Sequence, residues 1–234
     1  MSIGPEPLDA SHESDDGALS ESDFRVDRWP ASVAVLVCVG LYLVLPNQLT
    51  IQPKWLIPAL ELAVLIPLGW RRHRHLGESR WVRPLTIALL ALISVANVIS
   101  VELLVHHLLR HGPGSPTNGR TLVYSAALIW LTNVIVFSLW FWELDRGGPT
   151  KRFSHLERYA DFQFPQMENP KLAQPGWRPR YLDYLYVSLT NAAAFSPTDA
   201  MPLTRTAKVL MGIESVSSMV TVVVVAARAV NILQ

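Results

Sequence analysis

Five stretches of this chain run apolar for fifteen residues or more: 31–45, 84–101 and 121–142 carry no charge, 55–70 carries Glu61 and 209–227 carries Glu214. A helix needs about 20 apolar residues to cross a hydrocarbon core roughly 30 Å thick. The pattern therefore predicts five transmembrane helices. The first two runs sit near the minimum length and are separated by PNQLTIQPK, a polar link of turn composition. They read as two short spans or as one helical hairpin. Trp29, Trp55, Trp70, Trp81, Trp140 and Trp142 fall at the ends of runs, where an indole suits the headgroup level.

A sixth apolar stretch stops short. YLDYLYVSLTNAAAF, residues 181–195, would form a helix of roughly 20 Å, which is too short to cross. It follows a proline-rich connection and precedes SPTDAMPLT and the last apolar run. Short helix, polar turn, full span is the layout of a re-entrant pore loop. Irregular backbone is tolerated at membrane depth only where protein surrounds it or it lines a water-filled cavity. A helix lying on the membrane surface, with SPTD as a turn and N-cap, accounts for the same layout.

The expected fold is an all-α integral membrane protein of about five transmembrane helices plus one short re-entrant helix. An acidic tail occupies 1–28 and an N-terminal group of three spans 29–111. A pore-like module occupies 119–234: a span at 119–143, an irregular connection at 144–180, the short helix at 181–195, a turn at 196–204 and a last span at 205–233.

Composition agrees with the pattern. Half of the residues (50%) are hydrophobic and 17% are charged, against about 25% charged in soluble domains. The net charge of +1 conceals an asymmetry, because residues 1–30 hold eight acids against Arg25 and Arg28. That tail has the composition of disorder and lacks the basic start of a secretory signal. Arg71, Arg72, Arg74, Arg80 and Arg83 form the densest basic cluster and mark a cytoplasmic connection. With five spans, the 144–180 connection and its seven basic residues fall on the same side. One cysteine, Cys38, excludes an intrachain disulfide.

Residues Tyr184 to Val230 resemble the pore helix, filter and inner helix of tetrameric potassium channels. The resemblance rests on Tyr184, Tyr186 and Ser188 in the pore helix and Thr190 at the filter threshold. It continues with Pro202 and Leu203 in the turn, Ala207, Leu210 and Glu214 early in the inner helix, and Ala227, Arg228 and Val230 at its end. Where that family carries a glycine-rich filter, this chain reads Thr190, Asn191, Ala192, Ala193, Ala194, Phe195, Ser196, Pro197, Thr198 and Asp199. Potassium selectivity rests on rings of carbonyls from that loop, in dihedrals that glycine adopts freely and alanine does not. The resemblance thus implies a homotetrameric, ion-channel-like protein with a non-selective or cation-conducting pore in place of a potassium filter. The chain is also similar to an uncharacterised group of bacterial multi-span membrane proteins carrying AFSPTD and ARAVNIL. In the potassium channels the pore loop enters from outside, whereas the charge count places 144–204 inside. Either the first two runs are not both spans, or the pore is inverted, or the module is not a pore.

Ionisable residues inside spans are costly and mark candidate sites. Glu61, Glu102, His106 and Glu214 qualify, and Ser217 and Ser218 accompany Glu214. Glu102 and His106 stand four residues apart on one helical face and are positioned to pair. These residues support a second reading, a proton-coupled small-solute transporter. A third is a non-conducting membrane scaffold or partner subunit. No phosphate loop, nucleophile elbow, zinc-protease motif or Cys/His cluster is present in the sequence, so no enzymatic activity, cofactor or metal is expected. The basic residues flank spans, which gives no basis for nucleic-acid binding. The expected surroundings are the lipid bilayer of the cell (inner or plasma) membrane as a multi-pass protein, further copies of the chain, and inorganic ions as the transported species.

Overall fold

The computed structural model describes residues 29–73, 82–110, 119–149, 151–153, 159–194 and 200–232. The acidic tail, the 74–81 part of the arginine-rich connection and residues 195–199 lie outside them. The chain is helical, in the order α1 (Trp29–Val44), α2 (Leu56–His73), α3 (Val82–Arg110), α4 (Gly119–Leu144), β1 (Phe162–Gln163), α5 (Pro165–Glu168), α6 (Tyr181–Ala194), β2 (Met201–Pro202) and α7 (Arg205–Ile232).

Three of these helices are long and apolar enough to cross a membrane: Val82–His107, Arg120–Gly147 and Arg205–Ala226. They correspond to the last three predicted spans. The first predicted run forms a shorter apolar helix, Trp29–Val44, and the second forms α2, whose apolar part among the described residues covers Leu56–Ile66. At 1.5 Å per residue, the 16 residues of α1 extend about 24 Å, short of a hydrocarbon core of roughly 30 Å. The link between them closes back on itself. The Tyr42 hydroxyl accepts from the Ile51 N–H at 2.9 Å, and Lys54 Nζ donates to the Leu45 carbonyl at 2.5 Å.

α4 is the central element and packs against α1, α3, α6 and α7. Its residues 132–139 are buried without interruption. Its end is shaped by Arg146 (φ 53°), Gly147 (φ 78°) and Gly148 (φ 106°), three successive left-handed residues that turn the chain. A side chain at Gly148 would lie 3.2 Å from the Glu143 carbonyl, so both the dihedral and the space call for glycine.

α7 carries its polarity inward. Ala207, Met211, Glu214, Ser218 and Thr221 are buried, spaced by three and four residues along one face. Val209, Ile213, Val216, Met219, Val222 and Val223 are exposed on the other faces. A water-soluble helix has the opposite arrangement. An outer surface of this kind is stable against lipid tails and unfavourable against water.

Beyond α4 the connection is held by polar contacts. β1 pairs antiparallel with β2, placing Phe162 opposite Pro202 and Gln163 opposite Met201. Asp161 accepts from the Thr204 hydroxyl at 2.6 Å, and Thr204 Oγ1 in turn accepts from the Ala207 N–H at 3.2 Å. Thr204 therefore acts as the N-cap of α7. Replacing it with valine is expected to cost about 1 kcal/mol, read as a lowered unfolding midpoint in detergent; an unchanged midpoint would contradict the cap.

Candidate functional site

The candidate site follows from where α6 runs. α6 begins beside the end of α4: the Tyr181 and Ser138 hydroxyls lie 2.8 Å apart, and the Tyr184 hydroxyl donates to Asp145 Oδ2 at 2.5 Å. It then runs back along α4, which brings Ser188 Oγ to 2.6 Å from the Val134 carbonyl. Its last turns meet α7, where Asn191 Nδ2 donates to the Met211 carbonyl at 3.0 Å. Thr204, immediately before α7, is bound to Asp161, whose own N–H donates to Asp145 Oδ1 at 2.8 Å. α6 therefore starts, and α7 starts again, at the same end of the bundle.

At the inner end of α6 stands Glu214, fully buried. It accepts from Asn191 Nδ2 at 2.7 Å through Oε2 and from the Ser188 hydroxyl through Oε1. Ser215 Oγ donates to Asn191 Oδ1 at 3.2 Å. The network continues sideways. Asn133 Nδ2 donates to Ser218 Oγ at 3.0 Å, and Asn133 Oδ1 accepts from Ser217 Oγ and from Asn97 Nδ2, both at 3.2 Å. Asn97, Asn133 and the Glu214–Ser218 turn lie near the midpoints of the three long apolar helices. The result is one polar layer across α3, α4, α6 and α7.

A second polar cluster lies at the outer end of α6. Asp145, fully buried, receives the Asp161 N–H and the Tyr184 hydroxyl and faces Arg152 Nε at 3.5 Å. Arg152 Nη2 donates to the Trp142 carbonyl at 2.6 Å, and its guanidinium carbon lies 4.8 Å from the Tyr184 ring centre. Burial first, and the nearby Asp145 carboxylate with it, push the Tyr184 hydroxyl well above its ordinary range, while Arg152 pulls the other way. Tyr184 stays a donor. Phe162 and Phe164 pack edge-on against its ring, with centroids 6.1 and 5.4 Å away.

The sequence-predicted residues separate accordingly. Glu214, Ser217, Ser218 and Asn191 come together in the polar layer. Thr190, Asn191, Ala192, Ala193 and Ala194 continue the α6 helix, with Thr190 Oγ1 donating to the carbonyls of Tyr186 (2.9 Å) and Val187 (3.1 Å). Asn191 and Ala192 face inward, whereas Ala193 and Ala194 are exposed. Phe195, Ser196, Pro197, Thr198 and Asp199 lie outside the described residues. Glu102 and His106 sit on the exposed side of α3, and no ion pair joins them among the described residues. Glu61 is buried on α2, apart from Glu214.

Asn97, Asn133, Asp145 and Arg152 were not singled out from the sequence. For the two asparagines a signal existed, since a lone amide within an uncharged run has to find a partner in lipid. Among the described residues no group of three or more His, Cys, Asp or Glu is placed to hold a metal ion. No family model matches the chain, and neither a curated protein nor a solved structure matches it.

Proposed function

We propose that the chain is a multi-pass membrane protein of pore-loop type, in which α6 is a re-entrant helix and copies of the chain assemble around the α6–α7 junction to conduct ions. The observation that carries this reading is the returning path of α6. It starts at the Asp145 end, reaches the level of Glu214 and gives way to a helix that starts at the Asp145 end again. Met211 and Glu214 lie roughly 9 and 14 Å along α7 from its start, which is up to half the depth of a bilayer core of about 30 Å. Five residues, 195–199, connect that inner point to Ala200.

The pore would lie outside the single chain, since Glu214 and Asn191 are engaged with each other and with α4. Cations, a homotetramer and the cell membrane are the ligand class, assembly and location that go with this reading. Residues 190–194 being helical favours a second reading, a non-conducting scaffold of the same architecture, because helical carbonyls point along the helix axis and do not turn sideways to form the rings of a filter. The transporter reading loses Glu102 and His106 to the exposed side of α3.

Ion flux into liposomes carrying the full chain separates these readings. Cation flux above empty liposomes is expected, together with a detergent particle of four copies. The native Cys38 is buried, so Ala194→Cys offers a new accessible thiol. A charged thiol reagent is expected to reduce flux in that variant and leave the parent unaffected. Absence of flux under every gradient, from a particle that is monomeric in detergent, overturns the channel reading.

A further inference from the structure

A small cavity lies among α1, α2, α3 and α4, walled by Cys38, Tyr42, Glu61, Asn97, Ser100 and Thr132 together with apolar side chains. It has room for about one water-sized occupant. Glu61 is 2% exposed, and its Oε2 has no hydrogen-bond partner. A buried carboxylate oxygen left so is costly, and its charge more so.

The remaining polar walls are suited to a cation. Asn97 Nδ2 is committed to Asn133, which leaves the amide oxygen as the end able to coordinate. The Thr132 hydroxyl proton is committed to the Leu128 carbonyl at 2.9 Å, so its oxygen lone pairs remain. The Ser100 hydroxyl adds another oxygen. No Lys, Arg or His is among the lining residues; the other titratable groups facing Glu61 are the Cys38 thiol and the Tyr42 hydroxyl, both on α1, and α3 and α4 contribute none.

We propose that this cavity binds one dehydrated alkali-metal cation through Glu61, Asn97, Ser100 and Thr132. Charge decides the valence. One carboxylate balances one positive charge, whereas a divalent ion would leave a buried excess; without a cation the carboxyl holds a proton instead. A potassium ion is about the size of a water molecule, so the cavity admits sodium or potassium and excludes choline. The site belongs to the first four helices and does not depend on the pore-loop reading of α6.

The test is carbodiimide modification of Glu61 in the purified full chain, followed by mass spectrometry of the Glu61 peptide. Sodium, potassium and choline chlorides are compared at equal ionic strength. Sodium or potassium is expected to slow labelling, by about a hundredfold at a hundred times its dissociation constant. Choline leaves it unchanged. Ser100→Ala and Thr132→Val are expected to keep the labelling and weaken sodium protection. Sodium should also raise the melting temperature above that in choline, an increment lost in Glu61→Gln. Equal labelling in all three salts, no labelling of Glu61 in any of them, or a sodium increment that survives in Glu61→Gln overturns the proposal.

Discussion

Replacing Glu214 with alanine is expected to be among the most damaging single substitutions in the chain. The carboxylate accepts from Ser188 and Asn191 in a buried layer. Without it the Ser188 hydroxyl can turn to the Val134 carbonyl 2.6 Å away, whereas one Asn191 N–H is left without its acceptor. An orphaned buried polar group costs about 1–3 kcal/mol, to which the space left behind adds its own term. Glu214→Gln keeps one carbonyl acceptor and turns an amide toward the other donor, so about half of that loss is expected. Unfolding titrations in mixed micelles give both numbers. Equal midpoints for parent and Glu214→Ala would show that Glu214 does not hold α6 to α7. A channel role adds a separate readout, because loosening the inner end of α6 should alter flux in variants that still fold.

Asp145→Ala is expected to cost about 3–5 kcal/mol, the range for breaking a buried ion pair from one side. The Arg152 side chain is 2% exposed beside a fully buried Asp145, so removal of the carboxylate strands a cation among Trp142, Tyr184 and the end of α4. The same substitution frees the Asp161 N–H and, through Asp161, loosens the hold on Thr204 at the start of α7. Tyr184→Phe removes a single hydroxyl donor and should cost about 1–3 kcal/mol. Because both substitutions break the Asp145–Tyr184 bond, the double variant should fall short of the sum of the two by about 0.5–3 kcal/mol. Strict additivity would place the cluster's strength elsewhere. Faster proteolysis around residues 145–165 in Asp145→Ala should accompany the lower midpoint.

Much of the helical framework is legible from the apolar runs, since length and scarcity of charge are sufficient to mark α3, α4 and α7. The short helix before the last apolar run was equally legible, and the described part of it covers Tyr181–Ala194. α1 and α2 show the limit of run length as a guide. The sixteen residues Trp29–Val44, two short of Pro46, make a good helix but a short one, and its packing against α4 lies in no local pattern. The Glu214 site was half visible. The glutamate and its serines stood out against an apolar run, while Asn133, 81 residues away along the chain, joins them only when α4 and α7 are side by side. Asp145 and Arg152 were hidden differently. In a charged and proline-rich connection they look like solvated loop residues, and only burial of Phe162, Phe164 and Tyr184 around them turns them into a core. Glu102 and His106 were conspicuous by spacing alone, which says nothing about which side of a helix faces its neighbours.

The Asn133 amide also bears on how the protein is made. Its partners Ser217 and Ser218 emerge from the ribosome some 84 residues after it. At about 5–20 residues per second, α4 would wait roughly 4–17 seconds with part of this amide's bonding potential unmet. During that interval Asn97 on α3 is the helix-borne amide already synthesised that bonds to it in the finished bundle. The Asn97–Asn133 bond is therefore suited to chaperoning insertion, holding α3 and α4 together until α7 arrives. Chains arrested before Ser217 should depend on Asn97 for survival in the membrane far more than the finished protein does, a difference that pulse-chase turnover of arrested Asn97→Leu chains would display.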